Sequence, residues 1–564
     1  MQGRSGRESL QHPFPRFSYS HCMAPAAASR HMALTSSASI SRHAPNDGAD
    51  RRCARGPAST AAFALGLVSM SACVHAAEAA PATPVDAAPI AGSVFAQAGP
   101  AAPPASSPSA SSPAAAAASQ RAARATNDRP ETPPARPDYA LPAVEIVGFQ
   151  VLLNRANRYF GTGRDDYRVT LDSVRRNLRS GWGTDRDPFN VNQFGHPYQG
   201  AIYHGFARSA GFDYWHSLGY AFAGSIVWEI AGEQTRPSRN DQVASGIGGT
   251  FLGEALFRMS SLLLEHGGGM PRVWRELAAT AIAPSAGFNR LVVGERYGDV
   301  YSSRGASYFS ELQLGYAGSV KRDLGTSTAD FRRNEAQLGF AIDYGLPGSD
   351  GYQYQRPFDY FNFQATLSSA NGIEAVLTRG MLVGRTYEIG RDFRGVWGLY
   401  GSYDYIAPQT FRVSTTALSL GTTAQMWLGE ETSLQGTAMA GLGYAAVGTT
   451  RGSTTDRDYN YGVAPQALLN LRVVHGDKIA LNLTGREYFV SRLASGTPDG
   501  RDNIVRGDAT LTWRLAKQHA VSIRVAASRR DAEFQTGRSR QSQVTVGLFY
   551  TLLGRDRFGT VDWR

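Results

Sequence analysis

Long apolar runs, cysteine and lysine are all scarce in this chain, and each scarcity excludes something. No stretch of about 20 apolar residues exists to form a spanning helix, which rules out a helical multi-span membrane protein. The three cysteines, Cys22, Cys53 and Cys73, lie in the first 73 residues, so the body holds neither a disulfide framework nor a cysteine-ligated zinc site. Of the 57 basic side chains only Lys321, Lys478 and Lys517 are lysines, leaving 54 arginines. With a formal net charge of +10, that skew reads as codon bias and not as a polyanion-binding surface. What is plentiful is glycine (61), tyrosine (25) and phenylalanine (26). A length of 564 residues fits two to four soluble domains, or a leader plus one large membrane domain.

The N-terminal region reads as a leader. Arg51, Arg52 and Arg55 precede the short apolar run Ala61 to Met70, and small residues follow, ending Val74-His75-Ala76. This is the layout of a secretory signal peptide, with the mature chain expected to start near Ala77 and the true start expected downstream of Met1. Cleavage before Cys73, on Met70-Ser71-Ala72-Cys73, is the lipoprotein-type alternative. Residues 77–137 are dominated by Ala, Pro and Ser, a composition too poor in large apolar groups to offset its ordering entropy, and they are expected to form a disordered spacer.

From residue 301 to 564 the texture is period-two alternation in segments of roughly 10 to 17 residues. Val544, Val546, Leu548, Tyr550 and Leu552 fall on one face, with Gln543, Thr545, Gly547 and Thr551 on the other and Phe549 as the exception. Such lengths suit a tilted bilayer crossing better than a soluble sheet. Aromatics near segment ends suit interfacial girdles: Tyr308, Phe309, Phe358, Tyr360, Phe361, Tyr403, Tyr405, Tyr459, Tyr461, Tyr488 and Phe489. The expected fold is mainly β with a helical domain: an antiparallel transmembrane β-barrel of about 12 strands preceded by about three packed helices. Strands are expected to begin near Ser307, Asn334, Asp359, Gly372, Phe393, Phe411, Thr432, Tyr459, Lys478, Arg501, His519 and Gln541. Inward arginines (Arg379, Arg472, Arg486, Arg514, Arg524) either line a pore or pair with carboxylates in a plugged lumen, and pairing is the commoner fate.

Residues 138–300 differ. A short basic helix is expected over Asp172 to Arg179, then one from Pro197 to about Ala210. A largely apolar helix follows, from Asp213 to Ile230, in which Gly219, Ala223 and Gly224 permit close helix approach. Ser238 caps the next helix, with Asp241 in a capping-box-like position, and that helix runs to about Leu264. Glu229 and Glu233 sit at a helix C-terminus, an electrostatically poor place that calls for partners. Asn192-Gln193-Phe194-Gly195-His196-Pro197-Tyr198-Gln199-Gly200, Ala207-Arg208-Ser209, Ser225-Ile226-Val227-Trp228-Glu229, Pro237-Ser238-Arg239-Asn240-Asp241 and Gly248-Gly249-Thr250-Phe251-Leu252-Gly253-Glu254 occur in that order. Over roughly residues 150–295 this resembles the bacterial outer-membrane family known as domain of unknown function 3943. The resemblance implies a secreted, barrel-bearing envelope protein and supplies no catalytic residue.

Two functional classes follow. In the first, the helices sit in or beneath the barrel as a plug or docking element, and the protein is a structural or transport component. In the second, His196 acts as base with Glu229, Glu233, Asp241 or Glu254 as orienting carboxylate, on an envelope lipid or glycan. The competing architectural account is a buried polar network of these residues with Asn192, Tyr203, Arg208, Ser238, Asn240 and Arg258. No metal is expected, since His196, His204 and His216 lack the spacing of a helical zinc pair. No cofactor is expected: Gly246-Ile247-Gly248-Gly249 invites a dinucleotide reading, but Phe251 occupies the third glycine position and no strand precedes it. Ser225 and Ser245 lack the flanking glycines of a nucleophile elbow. Expected partners are outer-membrane lipids, with periplasmic envelope proteins next. Nucleic acid is not expected, because the arginines are spread along strands.

Overall fold

The computed structural model describes residues 137–564, apart from 161–163, 268, 295–299, 325–330, 409, 450–456, 493–499, 535–536 and 555. The expected leader and spacer therefore lie outside the described residues, except for residue 137.

Seven α-helices of five or more residues occur among the described residues, besides the single turn Arg239–Asp241, where about three were expected. They are α1 (Ala140–Phe160), α2 (Leu171–Arg179), α3 (His196–Ser209), α4 (Tyr214–Ala231), α5 (Gly249–His266), α6 (Arg272–Ile282) and α7 (Pro284–Phe288). The expected ones are anchored by local chemistry. Thr170 and Ser173 form a capping box at α2, and Asp213 caps α4 by accepting from the His216 amide. Pro197 sits in the first turn of α3. One-turn π segments, Val191–Gly195 and Gln242–Gly248, lead into α3 and α5. The unexpected helices, α1, α6 and α7, have apolar residues on exposed faces, so they lack the one-sided pattern that marks a helix in water.

Twelve strands close into an antiparallel barrel, sealed by β1 against β12. They are β1 (Tyr308–Leu324), β2 (Phe331–Tyr344), β3 (Phe361–Ser368), β4 (Gly372–Ile389), β5 (Phe393–Ile406), β6 (Phe411–Trp427), β7 (Thr432–Thr449), β8 (Tyr459–His475), β9 (Ile479–Arg492), β10 (Gly500–Ala516), β11 (His519–Phe534) and β12 (Gly537–Leu553). Six begin at the residue expected and the others within four. The largest difference is β12, which starts at Gly537 because the ladder continues past the apolar band. There Arg538 and Arg540 pair with Glu533 and Asp531 of β11 at 2.6 and 2.7 Å.

Strand parity separates lumen from exterior. On β5, Asp404 accepts from Arg379 (3.3 Å) and from Tyr488 across the lumen (2.7 Å). Residues of the opposite parity therefore face out. Outward residues of β6 to β12 and β1, such as Leu420, Trp513, Leu548 and Tyr316, are exposed and apolar. Part of the outward face of β2 to β5, reaching to the start of β8, is covered instead, while Val383 of β4 and Trp397 of β5 stay exposed. Phe340, Tyr344, Phe361, Phe363, Tyr403 and Tyr461 share one buried cluster with Phe251, Leu252, Leu256 and Met259 of α5. The helices thus clad the outer wall. This corrects the expectation of helices in or beneath the barrel. It also corrects the girdle reading: Tyr308, Phe358, Phe361, Tyr403, Tyr405, Tyr459 and Tyr461 are buried with helical residues, while Phe309, Tyr360 and Tyr488 are buried in clusters of lumen-facing side chains. Alternation specifies an apolar face but not what covers it.

The lumen is filled by its own side chains. Arg472 pairs with Asp343 (2.9 Å), and Arg486 and Arg524 converge on Asp508 (3.6 and 3.7 Å), so pairing is the fate of most inward arginines. Arg514 instead donates to the Lys517 carbonyl (2.7 Å). Two closures frame this polar middle, which holds a cavity of about 100 Å³. At the end where β1 begins, the C-terminal segment folds back inside. Phe558 packs with Phe309, Val474, Ala480 and Ala520, and Val561 exchanges hydrogen bonds with Gln425 (2.6 and 2.9 Å). Towards the other end, Phe411, Val413, Val447, Tyr488, Val490 and Ile504 form a buried apolar cluster.

Candidate functional site in the helical domain

Most of the nominated residues fall into two buried clusters. The first is built by matching i,i+4 pairs on neighbouring helices, His204 and Arg208 on α3 and Glu254 and Arg258 on α5. Glu254 accepts from Arg208 Nε (2.7 Å) and His204 Nε2 (3.0 Å) on one oxygen, and from Arg258 Nε (2.8 Å) and Arg208 Nη2 (3.3 Å) on the other. Arg258 continues to Asp359 Oδ1 (3.0 Å) and the Pro357 carbonyl (2.6 Å), tying α5 to the segment before β3. The Tyr301 ring lies under the guanidinium groups of Arg208, Arg258 and Arg356, 4.3 to 4.9 Å away. Burial alone would raise the Glu254 pKa. Arg208, His204 and Arg258 override it and hold the carboxyl well below the usual range. Burial lowers the pKa of His204, which therefore serves Glu254 as a neutral donor.

The second cluster lies where α3, α4 and the turn before α5 meet the far ends of β5 and β8. Glu229 Oε2 accepts from the Ser238 amide (2.8 Å), while Ser238 Oγ accepts from the Asp241 amide (3.2 Å). The cap at Ser238 is thus as expected, but Glu229 and not Asp241 supplies its reciprocal half. Asn240 donates to Asp241 Oδ1 (3.0 Å) and to Tyr461 Oη (2.8 Å), and Asn192 donates to Asp185 Oδ2 (2.8 Å) and Tyr459 Oη (2.9 Å). His196 stands with Nδ1 3.3 Å from Ser245 Oγ and Nε2 4.0 Å from Asp241 Oδ1. Burial first, then mutual repulsion with Asp241, raises the pKa of Glu229 and of Glu233 far above the carboxylate range, so both are protonated at neutral pH.

The structure therefore brings His196 to Asp241 and leaves Glu254 with the two arginines. Arg208 and Arg258 balance Glu254 and none of the other three nominated carboxylates. Tyr203 belongs to a third network, accepting from Gln150 (3.0 Å) and from Gln199, while Gln150 also donates to the Gly224 carbonyl (2.7 Å). Sequence reasoning missed Asp359, Tyr301, Tyr459 and Tyr461, which enter from the barrel side. It also passed over His204, although its spacing from Arg208 mirrors that of Glu254 from Arg258. Chemically the arrangement can hold protons and lock helices. Ser245 and Asp241 are 1% exposed. A Cβ on Gly200 would stand 1.9 Å from the Ser245 carbonyl oxygen, so α3 presses directly on that serine's backbone.

These clusters fall inside one recognisable segment. Residues 181–285 match the family model of a domain of unknown function, DUF3943. The DUF3943 segment runs from the turn before the first π segment through α6 and into α7, and so contains both clusters except their barrel-side partners. No curated protein matches the chain. Among solved structures, the chain is similar to a deletion mutant of the TodX monoaromatic hydrocarbon channel, with 9% identity over 44% of this chain and 90% of that one and a TM-score of 0.20. It is also similar to the NanC porin (7%, 41% and 98%, TM-score 0.20) and the outer membrane channel DcaP of Acinetobacter baumannii (8%, 44% and 99%, TM-score 0.20).

The protonated state of Glu229 has a measurable consequence. An unfolded glutamate ionises near pH 4.3. A group with a raised folded pKa contributes stability fully present below that pH and lost as pH rises through the folded value. Glu229→Gln keeps an oxygen for the Ser238 amide and cannot ionise. The variant is expected to match wild type in protease resistance of the helical domain at pH 4 and to exceed it at pH 8. Identical pH slopes for the two proteins would show that Glu229 is not the buried neutral group.

Proposed function

We propose that this chain is an outer-membrane barrel protein with a structural role, whose barrel is a closed scaffold and whose DUF3943 segment is a docking element held on the barrel's outer wall. The membrane assignment is supported by the continuous apolar exterior of β6 to β12 and β1 over a polar interior. The observation that carries the structural over the conducting role is the double closure of the lumen, by the Phe558 segment at one end and the Phe411–Tyr488 cluster towards the other. The plug role passes from the helices to the C-terminal segment. Planar-bilayer recording tests this. Refolded wild type and a variant lacking residues 556–564 are both expected to stay at baseline, while that deletion combined with Phe411→Ala and Tyr488→Ala conducts. A steady open-channel current through wild type would refute the closed scaffold.

The 3.3 Å contact between His196 and Ser245 favours a second reading, an envelope lipid hydrolase with His196 as base and Asp241 behind it. Fatty-acid release from outer-membrane lipid by wild type but not by folded His196→Asn would establish it.

A further inference from the structure

The helical domain has two apolar sides. One is spent on the barrel wall, and the other is bare. Along α4 the exposed residues are Trp215, His216, Gly219, Phe222, Ala223, Val227 and Ala231, without a single Asp, Glu, Lys or Arg. Val147 and Val151 of α1 are more than half exposed, as is Trp274 of α6 (64%). A water-facing helix surface of this composition would be an association liability.

Position decides what covers it. His266, at the end of α5, meets Tyr308, where β1 begins (5.9 Å between rings), and Phe251, near its start, fills the space beside Gly401 of β5. Beyond Phe251, Phe189 and Phe194 reach Tyr405 (5.9 and 5.7 Å), at the far end of β5. The domain therefore extends along the wall from one mouth of the barrel to the other. The wall it covers is the continuation of the exposed apolar exterior of β6 to β12. Charge collects at the domain's edge, on α2, where Arg175, Arg176 and Arg179 lie beside the C-terminal end of α4 through Asn177, which donates to the Glu229 and Ile230 carbonyls. An apolar band bordered by basic residues is the layout of a surface that faces acyl chains with head groups at its rim.

We infer that the outward face of α1, α4 and α6 is covered by phospholipid or lipopolysaccharide acyl chains, so that the helical domain lies in the membrane plane beside the barrel. This rests on the outer-membrane reading of the barrel. It gives the buried pairing of Glu254 a physical setting, since an ion cluster in that position needs every charge satisfied within the protein. It also explains how a domain in which no described helix is long and apolar enough to cross a membrane can occupy lipid, because the charged side chains shared by α3 and α5 turn inward and its ends rest on the barrel.

Fluorescence quenching by brominated acyl chains tests the inference in full-length protein refolded into vesicles, using variants that keep one tryptophan and carry Phe at the other seven. Trp513, outward on β10 and 61% exposed, is the barrel reference, and Trp228, 3% exposed, is the buried reference. Trp215 and Trp274 are expected to be quenched about as strongly as Trp513 and several-fold more than Trp228. If Trp513 is quenched while Trp215 and Trp274 respond only to aqueous iodide, the inference fails and the membrane barrel stands. If Trp513 is not quenched either, both fall. Val147→Cys and Phe222→Cys, each in a chain with Cys22, Cys53 and Cys73 changed to Ser, give a check with fewer substitutions. Both thiols are expected to resist a membrane-impermeant maleimide in vesicles and to react after detergent denaturation, and rapid labelling of folded protein in vesicles would overturn the inference.

Discussion

Glu254→Ala is expected to release the helical domain from the barrel wall while leaving the barrel intact. The substitution removes the carboxylate that Arg208 and Arg258 share and leaves Arg208 buried with only the Phe212 carbonyl (2.6 Å) and aromatic rings as partners. Breaking one side of a buried ion pair costs about 3–5 kcal/mol, because the remaining charge stays desolvated without compensation. Arg258 keeps Asp359, so the loss falls on the contact between α3 and α5. Limited trypsin digestion of refolded protein should cut within residues 181–285 of the variant and spare wild type, and the heat-modifiable gel shift of the barrel should persist in both. Arg208→Met with Glu254→Met should recover much of the resistance, since an apolar pair leaves no orphan charge. Equal resistance of Glu254→Ala and wild type would mean the cluster contributes nothing to docking.

That network was only half legible in the sequence. Glu254 and Arg258 show themselves as an i,i+4 pair and Arg208 as a candidate counter-charge. Tyr301 and Asp359 lie 43 and 101 residues beyond Arg258, in two separate segments, and only the tertiary fold brings them in. The barrel was readable for the opposite reason. Its signal is local and repeats twelve times, so the period-two alternation locates strands such as Phe393–Ile406 and His519–Phe534 directly. Alternation is blind to what lies beyond each face, however. Tyr403 and Tyr405 look the same in sequence whether lipid, head groups or helices cover them, so the helices were expected in the wrong place. The C-terminal segment escaped for a related cause: Phe558, Val561 and Trp563 carry neither periodicity, and they become a closure only because the ring of β-strands leaves a mouth to fill.

Gly200→Ala is expected to be among the most damaging single-methyl additions in the molecule. A Cβ at Gly200 would lie 1.9 Å from the Ser245 carbonyl oxygen and 2.9 Å from its Cα, and these are backbone atoms of the π segment that cannot rotate away. Gly249 and Gly253 extend the same seam, approaching the Gly200 and Ala201 Cα atoms at 2.7 and 2.9 Å from their own hypothetical Cβ positions. Small residues four apart let helices meet at backbone distance, which is how α3 and α5 bring His204 to Glu254 and His196 to Ser245. Forcing them apart costs about 3 kcal/mol or more, the upper range for overpacking, and disturbs both polar clusters together. Gly219→Ala on α4 is the matched control: a Cβ there meets nothing within 4 Å, so the better helix propensity of alanine should stabilise by up to about 1 kcal/mol. Thermal midpoints followed by protease resistance of residues 181–285 should therefore move in opposite directions for the two variants. A Gly200→Ala protein as stable as wild type would show that α3 and α5 do not meet as closely as this seam requires, and the geometry of both clusters would have to be redrawn.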